Sequence, residues 1–193
     1  VAPDKILRND RVKDGDVLIL TKPLGVGIVI SSYNAGQASE NAYQAAIDSM
    51  TTLNKYAADI IREYPVDSCT DITGFGLAGH LTEMLHGEYQ ATLAAENIPI
   101  IPEAYECAGN FLTTAGGQRN RDFIDDRIKF TFDDYALQEV LFDPQTSGGL
   151  LIAVQPQYAD EMMTKLEKLS THPAVIGQVT KKAPTDKVEI IVD

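Results

Sequence analysis

Apolar positions along the chain recur with two periods, and the switches between them mark out the elements. Residues 1–15 are polar and turn-rich, and then Val17, Leu18, Ile19 and Leu20 form an unbroken apolar run. That order predicts a tail or linker followed by a buried strand. The strand stops at Thr21-Lys22-Pro23-Leu24-Gly25, because Pro23 cannot donate to a ladder and Gly25 admits unusual backbone angles. Residues 25–30 fit either a strand or a helix. Tyr43, Ala46, Met50, Leu53, Ala57 and Ile60 then recur at steps of three and four, which predicts one long helix ended by Pro65. Asn34 with Gln37 resembles a capping pair, and Ser39 is the alternative start. Leu77, Ala78, Leu81, Met84 and Leu85 predict a second helix directly after a Gly-Phe-Gly turn.

Further on, residues 89–95 read as a strand and residues 102–112 as a helix. Residues 113–126 contain Gly116-Gly117 and mixed charges, and they read as a mobile loop. Ile128, Phe130 and Phe132 alternate with Lys129 and Thr131 as a half-buried strand does. A short helix at residues 135–141, a strand at 150–154, a helix marked by Tyr158, Met162, Leu166 and Leu169, and strands at 174–179 and 187–192 complete the series. Strands alternating with helices, without repeats, predict a mixed α/β layered domain over residues 16–193.

Composition narrows the function classes. A chain of 193 residues supports one full-sized domain, and at that length roughly 70% of the unfolded surface is buried. No apolar run approaches the roughly 20 residues of a membrane span, so a soluble protein with no membrane partner is expected. Sixteen Lys and Arg against 28 Asp and Glu leave a formal charge of 16 − 28 = −12, which argues against nucleic acid as a partner. A phosphate-bearing substrate would instead be met through divalent cations. Cys69 and Cys107 show no CxxC pairing, which fits a reducing cytoplasm better than a disulfide or zinc framework. The start at Val1, with no apolar signal core after it, reads as a cut inside a longer protein.

Three stretches carry candidate chemistry. In Cys69-Thr70-Asp71-Ile72-Thr73-Gly74-Phe75-Gly76, a polar segment passes through glycines into a helix, so free N–H groups and the positive helix end can face an anion. Asp71 just before it is a hard oxygen ligand suited to Mg²⁺ on a phosphate. The competing reading is that Asp71 or Thr73 caps the helix and the glycines permit close packing. Asp143 to Gly149, including Thr146, Ser147, Gly148 and Gly149, reads as a nest of N–H groups or as a tight turn feeding a strand. Lys22 reads as a phosphate contact or as a solvated lysine, and no Walker A pattern is present. His80, one turn beyond Gly76, can face the site or be structural. Cys69 points the same way as Asp71 along an extended segment, but no nearby base would lower its pKa, so a small buried thiol is the better reading. The acids Asp122, Asp125, Asp126, Asp133 and Asp134 read as solvated surface.

The segments DVLILTKPLGVGI from Asp16, CTDITGFGLAGHLTEML from Cys69 and DPQTSGGLLIAV from Asp143, in that order, resemble the C-terminal domain of the selenophosphate synthetase (selenide, water dikinase) family, from about Pro3 onward. GNFLTTAGGQRN looks like that family's glycine-containing loop ending in Arg and Asn. The resemblance implies a PurM-like (AIR synthetase-related) three-layer α/β/α fold related to the ferredoxin-like fold. It implies an enzyme converting ATP, selenide and water to selenophosphate, AMP and orthophosphate, acting as a homodimer. Asp71 matches the family's one metal-binding aspartate from this domain, holding Mg²⁺ on the ATP phosphates. Thr73, Gly74 and Gly76 would shape the loop presenting it, and Thr146 to Gly149 the facing wall. The nucleophile and most metal ligands would lie in another domain, so the fragment alone would be inactive. Rival readings are another enzyme of the superfamily, such as thiamine-monophosphate kinase, AIR synthetase or the hydrogenase-maturation type, and a non-catalytic nucleotide- or partner-binding module.

Overall fold

Alternating side chains make β1 (Val17–Leu20) and β5 (Leu150–Val154) apolar on both faces, and both lie inside a single seven-stranded sheet. The structure, a computed structural model, describes residues 6–193, so the first five positions of the predicted tail lie outside the described residues. The other strands are β2 (Ser68–Asp71), β3 (Tyr89–Leu93), β4 (Ile128–Phe130), β6 (Ala174–Lys181) and β7 (Ile190–Val192), in the spatial order β2-β5-β1-β6-β3-β7-β4. Pairing is antiparallel from β2 to β3 and parallel at β3–β7 and β7–β4.

The helices are α1 (Val26–Asn34), α2 (Glu40–Thr51), α3 (Lys55–Ile61), α4 (Gly76–Leu85), α5 (Ala104–Gly109), α6 (Ala115–Ile124), α7 (Tyr135–Phe142) and α8 (Pro156–Leu166). Leu18, Leu20, Leu151 and Ala153 belong to one core with residues of α1, α2, α4, α5 and α7. Ile19, Ile152 and Val154 belong to a second core with Ala57 and Ile61 of α3 and Ala159, Met162 and Leu166 of α8. The period of two along each strand therefore separates two helical layers, giving the three-layer α/β/α arrangement.

The long helix expected from Tyr43 to Ile60 is two helices. Thr51 and Thr52 turn their hydroxyls back onto the Ile47 and Asp48 carbonyls at 2.9 and 2.7 Å, and the chain leaves the helix there. Ser39 is the true start: its Oγ accepts the Ala42 N–H at 3.2 Å. Residues 25–30, open between strand and helix, enter α1. The predicted loop at residues 113–126 instead contains α6. Thr114 Oγ1 caps it by accepting the Gly117 N–H at 3.0 Å, and a Cβ on Gly116 would lie 2.5 Å from Pro144 Cγ. Gly116 thus reflects a close packing contact rather than a break in the helix. Thr114 also donates to Asp143 at 3.2 Å. Thr114→Ala is expected to lower unfolding free energy by about 1–2 kcal/mol, measured by denaturant titration with unchanged slope.

Candidate functional site

Register brings the candidate segments to one end of the sheet. Asp71 pairs with Leu150, and Leu20 pairs with both Leu151 and Ala174, so the exits of β1 and β2 and the entries of β5 and β6 lie together. Asp71, the last residue of β2, is exposed at this end. Among the described residues its carboxylate makes no ion pair and no side-chain hydrogen bond. It opens onto a cleft of about 660 Å³ whose walls include Arg8, Asp10, Asn54, Cys69 and Leu150.

Beyond Asp71 the backbone is tied down on both sides. Ile72 N donates to Gly149 O at 2.8 Å, while Thr73 O accepts from Gln145 N at 3.0 Å and from Gly76 N at 3.1 Å. Gly76 holds φ = 67°, and a Cβ there would lie 2.9 Å from the Phe142 backbone, so the entry into α4 requires glycine. No side chain caps α4; its first N–H, of Gly76, is taken by Thr73 O, and residues 76–79 of its first turn are buried. Thr73 is half-buried and its Oγ1 lies 3.1 Å from His80 Nε2, so the buried His80 faces the turn and steadies it. His80 Nδ1 in turn lies 3.3 Å from Glu83 Oε2.

Thr146 and Ser147 are exposed and Gly148 and Gly149 are buried, on the opposite side of the same turn. The carbonyls of Ser147, Gly148 and Gly149 are taken by Lys22 Nζ at 2.9 Å, Asn54 Nδ2 at 2.8 Å and Ile72 N at 2.8 Å. A Cβ on Gly148 would meet Ile72 O at 2.3 Å, one residue from Asp71. Gly148→Ala is therefore expected to cost about 1–3 kcal/mol and to displace the Asp71 backbone, read from unfolding and from the amide NMR shift of Ile72.

Both readings of Lys22 are corrected. It is only 2% exposed, and its ammonium donates to Ser49 O, Thr52 O and Ser147 O at 2.9, 2.7 and 2.9 Å, which uses all three protons inside the fold. Burial lowers its pKa. Cys69 is a thiol held far from ionisation: burial, with help from the Asp71 charge, pushes it up to about 12. The thiol is half-buried and lines the cleft, so it is less enclosed than the buried-thiol reading expected, while its raised pKa agrees with the absence of a base. Asp122, Asp125, Asp126 and Asp133 are exposed, whereas Asp134 caps α7 by accepting the Leu137 N–H at 3.0 Å.

Two side chains of this region were not anticipated. Asp143 accepts from Ile28 N at 3.1 Å, Thr114 Oγ1 at 3.2 Å and Gln145 Nε2 at 3.1 Å, and Gln145 Oε1 accepts from Gly25 N and Val26 N, each at 3.2 Å. They cap α1 from across the fold. Burial raises Asp143 to about 7 against the pull of these donors. The sequence signal is Gly27, where a Cβ would sit 2.5 Å from Asp143 Oδ1.

Among the described residues no group of three or more His, Cys, Asp or Glu can hold a metal ion. The chemistry of Asp71, a single exposed hard oxygen donor, suits one ligand position on Mg²⁺.

Fold and site together define a class: a layered α/β domain that offers an exposed carboxylate, Asp71, beside a glycine turn at one end of its sheet. The chain belongs to the family described as AIR synthase related protein, C-terminal domain, which matches over residues 13–188. It is 44% identical over 180 residues to a selenide, water dikinase of Desulfitobacterium hafniense (strain Y51), covering 93% of this chain and 53% of that protein. A selenide, water dikinase of Agathobacter rectalis is 43% identical over 183 residues, covering 94% and 54%. The chain thus spans about half the length of the curated relatives it matches. Among solved structures, thiamine-monophosphate kinase from Stenotrophomonas maltophilia K279a shares the fold with a TM-score of 0.67 at 15% identity, covering 100% of this chain and 54% of that one. The hydrogenase maturation protein HypE in complex with ATP does so with a TM-score of 0.56 at 16% identity, covering 100% and 51%. These neighbours establish the PurM-like layered fold.

Proposed function

We propose that this chain is the C-terminal domain of a selenide, water dikinase, which makes selenophosphate, AMP and orthophosphate from ATP, selenide and water. The observation that carries the reading is Asp71: an exposed carboxylate that has no ion pair or side-chain hydrogen bond among the described residues, at a glycine turn, in a chain 44% identical to such an enzyme. Asp71 would hold Mg²⁺ as one of its ligands when ATP is bound. A lone carboxylate would repel a phosphate, and a shared divalent cation turns that repulsion into attraction. When bound there, such a cation would supply charge neutralisation and orientation to the polyphosphate. The protein's own part is positional. Thr73, Gly74 and Gly76 shape the turn that presents Asp71, and His80 holds Thr73. Thr146, Ser147, Gly148 and Gly149 form the facing wall.

The nucleophile and the remaining metal ligands belong to the part of the relatives' length that this chain does not span, and the whole protein works as a cytoplasmic homodimer. ATP binding by the HypE structure and the selenium chemistry named in the relatives support this assignment. Selenide-dependent AMP release by the full-length protein tests it. Its absence under reducing, Mg²⁺-containing conditions would sink the reading. Steady ATP turnover by the 193-residue chain alone would contradict the division of the active site between domains.

A further inference from the structure

Away from that turn, two carboxyl groups are buried around one lysine where the chain enters the sheet. Asp16 is fully buried, and the Asp67 side chain is 11% exposed. Asp16 Oδ2 accepts the Lys13 N–H at 2.8 Å, and Asp67 Oδ1 pairs with the Lys13 ammonium. Each acid thus uses one oxygen on Lys13. Asp16 Oδ1 and Asp67 Oδ2 remain, both buried and both without a hydrogen-bond partner, in two carboxyl groups gathered on the same Lys13. Anionic oxygens buried near a like charge are stripped of water and repelled, and a proton on Asp16 relieves both penalties. A metal ion fits less well: among the described residues no third His, Cys, Asp or Glu joins the pair, and Lys13 already supplies a cation.

We propose that Asp16 is held protonated within this Lys13–Asp67 cluster, and that the buried acid is a pH-sensitive latch holding the segment at residues 8–16 against the edge strand β2.

The segment works as a strap. Cys69 N donates to Arg8 O at 2.8 Å, Arg11 N donates to Ser68 Oγ at 3.2 Å, and Ser68 Oγ donates to Arg8 O at 3.2 Å, so residues 8–11 cover the open edge of β2. The same strap supplies Arg8 and Asp10 to the wall of the Asp71 cleft. Its other end is pinned to β6 by Gly15 N to Val179 O at 2.9 Å and Val179 N to Asp16 O at 2.8 Å. The buried acid therefore sits between the fixed end and the covering end. The charged and titratable groups that act on it are Lys13 on the strap, Asp67 ahead of β2 and, through Lys13, Tyr89 of β3.

Burial first, then the Asp67 charge, raises Asp16 from 3.8 to about 6, against the Lys13 N–H and ammonium that pull it down. A carboxyl raised in the folded state stabilises the fold fully below its unfolded pKa, and that stabilisation is lost as pH rises through the folded value. The latch is tight in acid, loosens as pH rises from the ordinary carboxylate range through about 6, and loosens little further above it.

Hydrogen exchange at the Cys69 amide, corrected for intrinsic chemistry, reads the strap directly. In the wild-type chain its protection is expected to fall roughly tenfold from about pH 5 to about pH 7.5. In Asp16→Asn the carboxamide is uncharged at every pH, so protection is expected to stay flat. A flat wild-type profile, or an Asp16→Asn profile that falls as the wild type does, would overturn the proposal. Should Asp16→Asn fail to fold, carboxyl carbon NMR of the wild type decides: titration of the Asp16 carboxyl well above the ordinary carboxylate range supports the held proton. Titration inside that range refutes it, as does a shift of that carbon on adding Mg²⁺ or Ca²⁺ alone.

Discussion

Lys22→Met is expected to lower the unfolding free energy of the chain by about 2–4 kcal/mol, seen as a reduced denaturant midpoint with unchanged slope. Methionine fills the volume of the lysine stem, so the change isolates the ammonium. Removing it leaves three carbonyls, Ser49 O, Thr52 O and Ser147 O, in a region where Lys22 itself is 2% exposed. An unsatisfied buried acceptor costs about 1–3 kcal/mol, and relief of the desolvated ammonium offsets part of that sum. The damage is also topological, because the three carbonyls belong to the end of α2 and to the wall opposite Asp71. Lys22→Arg is not a conservative rescue: a flat guanidinium fork cannot direct three protons from one atom, and it is expected to lose more than about 1 kcal/mol. A loss below about 0.5 kcal/mol in Lys22→Met would mean that water replaces the ammonium at those carbonyls and that the clamp is dispensable.

Lys22 also marks where the sequence stopped being legible. Periodicity places β1, β5, α4 and α7 because one or both faces of these elements are buried, and burial writes itself into the pattern at a period of two or of three to four. Nothing local separates a lysine that ends a strand in solvent from one that turns inward to three carbonyls. Its partners lie at positions 49, 52 and 147 and meet only in the folded chain. The break between α2 and α3 was hidden for the same reason: the apolar steps from Tyr43 to Ile60 run unbroken across it, while the signal for the break is hydrogen bonding by Thr51, Thr52 and Lys22. At α6 the local signal pointed the wrong way. Gly116 lowers helix propensity, yet Pro144 demands the missing side chain. Asp71 was legible because a strand end followed by a glycine turn and an apolar helix is a local pattern. Its freedom from any ion pair or side-chain hydrogen bond among the described residues was not, since that depends on what the sheet brings near it.

That freedom makes Asp71 separable from the fold. In the full-length protein, Asp71→Asn is expected to lower selenide-dependent AMP formation about 10²–10³-fold, the scale of removing one charge aimed at a reacting phosphate centre. Asparagine keeps the size and one oxygen donor while removing the charge, so the loss reads the electrostatic role rather than the shape of the cleft. The same substitution in the 193-residue chain is expected to change unfolding free energy by no more than about 0.5 kcal/mol, because an exposed carboxylate without an ion pair or hydrogen bond contributes little to stability. The two measurements must dissociate. A structural Asp71 would move stability and activity together, and a metal-holding Asp71 moves activity alone, with part of the loss recovered at higher Mg²⁺ because the weakened site fills by mass action. Asp122→Asn on the exposed face of α6 removes the same charge elsewhere and is expected to change neither reading. AMP formation within about twofold of wild type in Asp71→Asn would take Asp71 out of the metal site, since uncompensated loss of a ligand charge beside a polyphosphate cannot be that cheap.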